Sequence, residues 1–210
     1  MIKILIVDDH FLIREGFKNI ISNEIDMSIA GEAENAAEAL KLIRETDFDV
    51  LALDISMPDR SGLDLMKDIQ KLKPEARILI LSMHPEDRFA LRAIKSGAHG
   101  YITKESAPQE MVKAIRKVME GRKYISEALG EKLAAEFTVE TKKMPHESLS
   151  DREFQVLCKI GEGKTVTQIA DELSLSISTV NTYRIRILEK LNVNSNASLI
   201  HYVVKNNLVE

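Results

Sequence analysis

Three carboxylates stand where a folded chain could use them. Val50-Leu51-Ala52-Leu53 is an unbroken apolar run that ends on Asp54, and Ile2-Lys3-Ile4-Leu5-Ile6-Val7, apolar except for Lys3, runs into Asp8-Asp9. A strand buried on both faces, as in a parallel sheet, has no interior room for a carboxylate, so each acid belongs at the C-terminal edge of its strand. Met57-Pro58-Asp59 and Ser61-Gly62 follow Asp54 with turn chemistry, since proline fixes φ and glycine opens positive φ. In open parallel sheets ligands bind outside the carboxyl ends of the strands, where the winding reverses. Two such strands side by side there bring three carboxylates together. Unpaired anions repel and raise one another's pKa, so the site calls for a cation, and all-oxygen donors suit a hard one such as magnesium.

The elements that must hold these acids alternate along the first part of the chain. Phe11 to Ile21 carries Leu12, Ile13, Phe17, Ile20 and Ile21 at helical spacing, Met27 to Gly31 reads as a short strand, and Ala36 to Arg44 reads as a helix with Leu40 and Ile43 inward. After the Val50 strand come a helix from Gly62 to Leu72, a strand Ile78–Leu81 ending at Ser82, and a helix from Glu86 to Ser96 closed by Gly97. A strand from Gly100 to Thr103 then ends at Lys104, and a helix from Pro108 to Glu120 is closed by Gly121. Five βα units imply a parallel sheet with right-handed crossovers. The strand ends now read Asp8-Asp9, Asp54, Ser82 and Lys104. Taken singly, each has an ordinary explanation: Asp54 and Ser82 as helix caps, Lys104 as a solvated charge, Tyr101 as packing. Their siting at successive strand ends is what separates them from that reading.

Composition bounds the rest. At 210 residues the chain is long enough for two small domains, with 30% charged and 44% hydrophobic residues, the make-up of an ordinary globular protein. The formal net charge of −4 carries no nucleic-acid or membrane signal by itself. No apolar run approaches the roughly 20 residues that span a bilayer, and the N-terminus opens directly on a strand with no signal-peptide pattern. Cys158 is the one cysteine, so no internal disulfide forms and the cytoplasm is the expected compartment, with no membrane partner. The histidines show no metal-ligand spacing.

Beyond Tyr124 the pattern changes. Ser126 to Phe137 is an amphipathic helix by its Leu129, Leu133 and Ala134, and Thr138 to Ser148 is polar and aperiodic, so residues 122–148 read as a linker with a helix in it. From 149 to 210 the chain is helical by pattern. Ser150-Asp151-Arg152-Glu153 forms a capping box, Thr165 with Gln168 forms another, Ser176 caps a helix to Leu191, and Ser195 caps a last helix carrying Leu199, Ile200, Val203 and Val204. Four short helices with a tight turn between the second and third suggest a helix-turn-helix unit. In the third, Val180, Tyr183, Ile187 and Leu191 make the buried stripe. Asn181, Thr182, Ile185 and Arg186 then face out with Arg184 at the flank. Asn, Thr and Arg read base edges or hold phosphates, and an exposed Ile185 could meet a thymine methyl. The cations of this half concentrate near the third helix, with Lys164 ahead of the second, so local field rather than net charge would draw DNA.

The first 121 residues closely resemble the receiver domain of two-component response regulators. On that resemblance the sheet is doubly wound and flavodoxin-like, in the order 2-1-3-4-5. Asp54 matches the phosphoacceptor, Asp8 and Asp9 the acidic pair that holds Mg²⁺ together with Asp54 and the Ser56 carbonyl, Ser82 the hydroxyl that turns to the phosphoryl group, Tyr101 the aromatic switch, and Lys104 the lysine that pairs with phosphate. Glu105 stands where many receivers have a proline joined by a cis bond; a cis bond before a non-proline residue costs about 3 kcal/mol. Residues 149–191 resemble the LuxR-type DNA-binding domain through Leu149-Ser150-Asp151-Arg152-Glu153, Gln168-Ile169-Ala170, Ser176-Ile177-Ser178-Thr179-Val180 and Lys190-Leu191. The family often has lysine at position 181 and histidine at position 183, so sequence preference does not carry over. Together the halves resemble a response regulator of the NarL/FixJ class. That implies a sensor histidine kinase as phosphoryl donor, double-stranded DNA as ligand through Lys164, Thr179, Asn181, Thr182, Arg184, Ile185, Arg186 and Lys190, and a homodimer when phosphorylated. Phosphorylation would alter dimerisation or release the DNA-binding domain. A second reading is an enzyme with an aspartyl-phosphate intermediate, but Ile55 and Ser56 supply no general acid beside the nucleophile, so a regulator and not an enzyme is expected.

Overall fold

Val50–Asp54 forms the middle strand of the sheet, and every residue in it is buried because a sheet wound on both faces leaves its central strand no solvent side. The computed structural model describes residues 1–57, 60–138 and 144–209. The expected turn residues Pro58 and Asp59, and 139–143 of the expected linker, lie outside the described residues. The strands are β1 (Ile2–Val7), β2 (Met27–Ala33), β3 (Val50–Asp54), β4 (Arg77–Ser82) and β5 (Gly100–Thr103). All pair in parallel, in the order β2-β1-β3-β4-β5. β2 runs two residues past the expected end at Gly31, and a register shift between Ile4 and Leu5 accommodates it.

Side chains alternate across the sheet, so one register faces each layer. Ile4, Ile6, Val50, Ala52, Leu79, Leu81 and Ile102 pack against Phe17 and Ile21 of α1 (Phe11–Ser22) and Met111, Ile115 and Val118 of α5 (Ala107–Met119). The opposite register, Leu5, Leu51, Leu53, Ile78 and Ile80, is equally buried. It leaves α2 (Ala36–Glu45), α3 (Gly62–Leu72) and α4 (Glu86–Lys95) to cover the other face. One inward position is a surprise. Leu12 is 79% exposed, and Arg14 takes a buried place on the same stripe as Phe17 and Ile21.

After α5 the chain turns back along the sheet edge. Tyr124 donates its N–H to the His99 carbonyl at 2.8 Å and accepts from the Tyr101 N–H at 3.2 Å, making a short parallel bridge beside Gly100. Gly100 permits that approach, because a Cβ there would lie 2.9 Å from the Tyr124 Cβ and 2.8 Å from Leu79 Cδ1. The Ser126 N–H then meets the Glu86 carboxylate at 3.1 Å, and α6 (Glu127–Thr138) packs on α4 with Leu129 buried. The chain thus divides into compact units at Met1–Val139 and Glu140–Glu210, with α6 in the first.

Among its described residues the second unit holds a 3-10 turn at Pro145–Ser148 and α7 (Asp151–Gly161), α8 (Val166–Glu172), α9 (Ile177–Leu191) and α10 (Asn196–Lys205). Each helix starts where its cap residue stands. Ser150 and Thr165 make full capping boxes with Glu153 and Gln168, while Ser176 and Ser195 accept from the N–H groups of Thr179 and Ser198. The turn from α8 to α9 passes through Ser174 at φ 51°. Among the described residues no helix is long and apolar enough to cross a membrane.

Candidate functional site

β1 and β3 are neighbours, so their C-terminal ends deliver Asp8 and Asp54 to one place. Lys104, one residue beyond β5, reaches back between them: its Nζ lies 2.7 Å from Asp8 Oδ2 and 2.8 Å from Asp54 Oδ2, with the side chains of all three essentially without solvent access. Its backbone N–H donates to the Ser82 carbonyl at 2.7 Å, which ties that strand end to β4. Burial, with Asp8 adding to it, pushes the Asp54 carboxyl up against the opposing pull of Lys104. Burial lowers the Lys104 ammonium, but Asp54 and Asp8 outweigh it, so the lysine is held above its ordinary value and stays charged. The Ser56 N–H donates to Asp54 Oδ1 at 3.1 Å and fixes the carboxylate plane. Gly62, opening α3, admits the Asp54 carbonyl; a Cβ there would stand 1.9 Å from that oxygen.

Asp9 is half-buried beside the pair, and His10 joins them. Its Nδ1 is 2.8 Å from Asp9 Oδ1 and 3.3 Å from Asp8 Oδ1, and its backbone N–H donates to Asp8 Oδ1 at 2.9 Å. Asp8, Asp9, His10 and Asp54 can each offer one ligand atom to a common point, all within 4.8 Å of one another. Three carboxyl groups thus face one ammonium. With carboxylate oxygens that outnumber the one ammonium and converge on a common point, the residues fit a hard divalent cation. His10 was not among the expected site residues, since only its place after the acid pair marks it. Arg14, whose Nη1 donates to the Asp8 carbonyl at 2.8 Å, carried no sequence signal at all.

Ser82 and Tyr101 lie beyond this cluster on the β4 and β5 side. Ser82 Oγ accepts the His84 N–H at 3.0 Å, and the Tyr101 hydroxyl donates to the His84 carbonyl at 2.8 Å. Tyr101 is already turned inward, 3% exposed. The bond from Lys104 to Glu105 is trans.

In the second unit α9 buries Val180, Ile187 and Leu191, with Tyr183 only half-buried. Thr182, Ile185 and Arg186 are exposed, and Asn181, Thr179 and Arg184 are partly so. Thr182 spends its hydroxyl on the Ser178 carbonyl at 2.9 Å, and Arg184 Nε meets Asn196 Oδ1 at 2.5 Å. A shallow groove of about 300 Å³ is lined by Ser178, Thr179, Thr182, Tyr183 and Arg186. Two of the expected cations are committed elsewhere. Lys190 pairs with the buried Glu153 at 2.6 Å, and Lys164 pairs with Glu172 and, at 3.6 Å, with Glu162. These partners come from other helices and loops, which helical spacing within α9 does not reveal.

Comparison with known proteins places both halves. The family model of the response regulator receiver domain matches residues 4–116, and that of the luxR family of bacterial regulatory proteins matches residues 147–203. The chain is 36% identical to the response regulator UvrY of Escherichia coli over 209 residues, covering 99% of this chain and 96% of that protein. It is 37% identical to the response regulator GacA of Pseudomonas aeruginosa over 211 residues, covering 100% and 99%. Among solved structures it is similar to the RcsB response regulator of Salmonella typhimurium, with a TM-score of 0.62 and 27% identity over 97% of this chain and 100% of that one. The chain belongs to the response regulators of the NarL/FixJ class, a receiver domain followed by a LuxR-type DNA-binding domain.

Proposed function

We propose that Asp54 is the phosphoacceptor of this regulator and that its modification controls binding of the second unit to double-stranded DNA. The observation that carries the reading is Lys104 bridging Asp8 and Asp54 in a buried cluster at the strand ends. An Asp54 oxygen attacks the phosphorus of a phosphohistidine on a sensor kinase. The P–O bond forms as the P–N bond breaks, and the imidazole leaves with the bonding pair. Asp8, Asp9, Asp54 and the Ser56 carbonyl would hold Mg²⁺, which supplies positive charge to the phosphoryl oxygens. Lys104 gives up its contact with the Asp54 oxygen that reacts and pairs with a phosphoryl oxygen instead, keeping Asp8 as its second partner.

Ser82 turns its hydroxyl to the phosphoryl group and releases the His84 N–H, and the Tyr101 hydroxyl, bonded to the neighbouring His84 carbonyl, registers the change. Since Tyr101 is already buried, the signal is the shift of that hydrogen bond rather than a swing from solvent. No acid follows Asp54 at Ile55 or Ser56 to protonate a leaving group, in keeping with a regulator rather than an enzyme. The protein works in the cytoplasm on this reading, with no membrane partner.

On DNA, Asn181, Thr182, Ile185 and Arg186 of α9 enter the major groove, flanked by Thr179 and Arg184, while Lys164 and Lys190 reach phosphates by leaving their glutamate partners. Relatives of the RcsB type are described bound to DNA and as dimers on it. Ile200 and Val204 of α10 are 38% and 59% exposed, an apolar surface beyond what the domain core uses and the place for a second DNA-binding domain in the phosphorylated homodimer. The test is labelling of the full chain with acetyl phosphate and Mg²⁺. One hydroxylamine-labile phosphate per chain is expected, absent in Asp54→Asn, together with a footprint spanning two half-sites. An Asp54→Asn chain that labels fully, or steady turnover of a phosphoester, overturns the assignment.

A further inference from the structure

Arg14 is a charged residue buried on a helix stripe otherwise made of Phe17 and Ile21, and such residues are seldom buried without a specific set of partners. Its guanidinium makes two hydrogen bonds and one longer charge contact beside the acidic pair. Nη1 donates to the Asp8 carbonyl at 2.8 Å, Nε donates to Glu32 Oε2 at 3.2 Å, and Nη2 lies 3.8 Å from Glu34 Oε2. Glu32 sits at the end of β2, where the Asp8 N–H also donates to the Ala33 carbonyl at 3.1 Å. The turn that carries Asp8 and Asp9 is therefore pinned to β2 twice, once by its own backbone and once through Arg14. Asp8 is then tied by hydrogen bonds at three atoms, N–H to Ala33, carbonyl to Arg14 and Oδ1 to the His10 N–H, while Oδ2 faces the Lys104 ammonium as an ion pair.

We propose that Arg14 is a positioning residue of the divalent-cation site, holding the Asp8 carbonyl against Glu32 so that the Asp8 and Asp9 carboxylates are fixed before the cation arrives. The inference rests on the reading that this acid pair binds a divalent cation. It also has a sign opposite to the simple electrostatic one. A cation this close to a metal site should weaken metal binding through its charge alone, and removing it should tighten binding. Glu32 and Glu34 offset that charge, so the geometric role dominates, and loss of such an outer support weakens metal affinity by 10-fold or more.

The experiment is Mn²⁺ binding to the unphosphorylated full chain, read by water-proton relaxation, for wild type, D8N, R14Q, R14K and E32Q, with thermal melts alongside. Wild type should show a site that D8N abolishes, and R14Q should bind about 10-fold more weakly. R14K, which keeps the charge but loses the fork that spans a carbonyl and a carboxylate, should lie between, as should E32Q. A wild-type chain with no D8N-sensitive site overturns the cation reading and this inference together. A D8N-sensitive site that R14Q leaves unchanged or tightens overturns the role of Arg14 alone. If R14Q melts below the assay temperature, R14K and E32Q decide, and wild-type affinity in both overturns it.

Discussion

In the first unit Asp8 and Asp54 are out of solvent, each within 2.8 Å of the Lys104 ammonium, whereas on α9 the groups expected to meet DNA are exposed or partly exposed and spread along the helix. Both surfaces are charged, and the difference lies in what surrounds the charge. A buried cluster makes a few groups decisive, because removing one leaves the others without compensation in a medium that cannot screen them. An exposed helix face distributes its task, so single changes leave the fold untouched and alter only binding. The receiver site is bound up with the stability of its domain, and the DNA face is tied to its own domain's stability chiefly where Lys190 meets Glu153.

Lys104→Ala should break that contrast most severely. Two carboxylates remain buried with no cation between them, a loss of about 3–5 kcal/mol in urea unfolding without Mg²⁺, recovered in part when Mg²⁺ is added. Equal stability of wild type and variant in metal-free buffer would show the cluster to be more solvated than its burial indicates. Gly62→Ala comes next, because the added Cβ meets the backbone carbonyl of Asp54 rather than a movable side chain. A loss of about 3 kcal/mol is expected in the same assay. In the second unit, Ser150→Ala removes one half of a capping box and should cost about 1 kcal/mol.

Acid titration sharpens the comparison further. Burial pushes the Glu153 carboxyl up, but Lys190 and the Ser150 N–H outweigh it, and the folded-state value lies below the ordinary one. A depressed carboxyl stabilises the fold above its unfolded pKa, about 4.3, and the contribution is lost as pH falls through the lower folded value. Glu153→Gln should therefore flatten the acid limb of the stability curve below that pH, and an unchanged limb would count against the pairing with Lys190. Arg186→Ala should have the smallest effect on the fold, within about 0.5 kcal/mol. It should nonetheless weaken operator binding and, if the contact is to phosphate, lower the salt slope by about 0.9.

How much of this was legible in the sequence follows the range of the interactions. Asp54, Asp8 and Lys104 could be placed because the first two end apolar runs and Lys104 follows a strand-like stretch, and strand ends in a doubly wound sheet share one edge. The helix caps of the second unit were legible for a related reason, since a cap and its partner lie three residues apart. What could not be read depended on contacts between distant segments. Arg14 gives no signal in the sequence, because its partners Glu32 and the Asp8 carbonyl meet it only in the fold. Lys190 reads as an open cation until Glu153, 37 residues away, is found against it. The pattern likewise reads Arg122 to Tyr124 as linker, because the pairing partner of Tyr124 is a strand some twenty residues earlier.

That returning segment also bears on solubility. A parallel sheet ends in two open edges, each a row of unpaired backbone donors and acceptors ready to recruit a foreign strand. At β5 the row is taken by Tyr124, which uses the His99 carbonyl and the Tyr101 N–H, while the Lys123 ammonium takes the Ala98 carbonyl at 2.7 Å. A chain cut after Gly121, where the last βα unit closes, would uncover that edge and lose the cover of Tyr124 over the core beneath it. Such a fragment would be expected to stack edge to edge with its own kind, and the uncut chain is protected from that by the five residues Arg122 to Ser126.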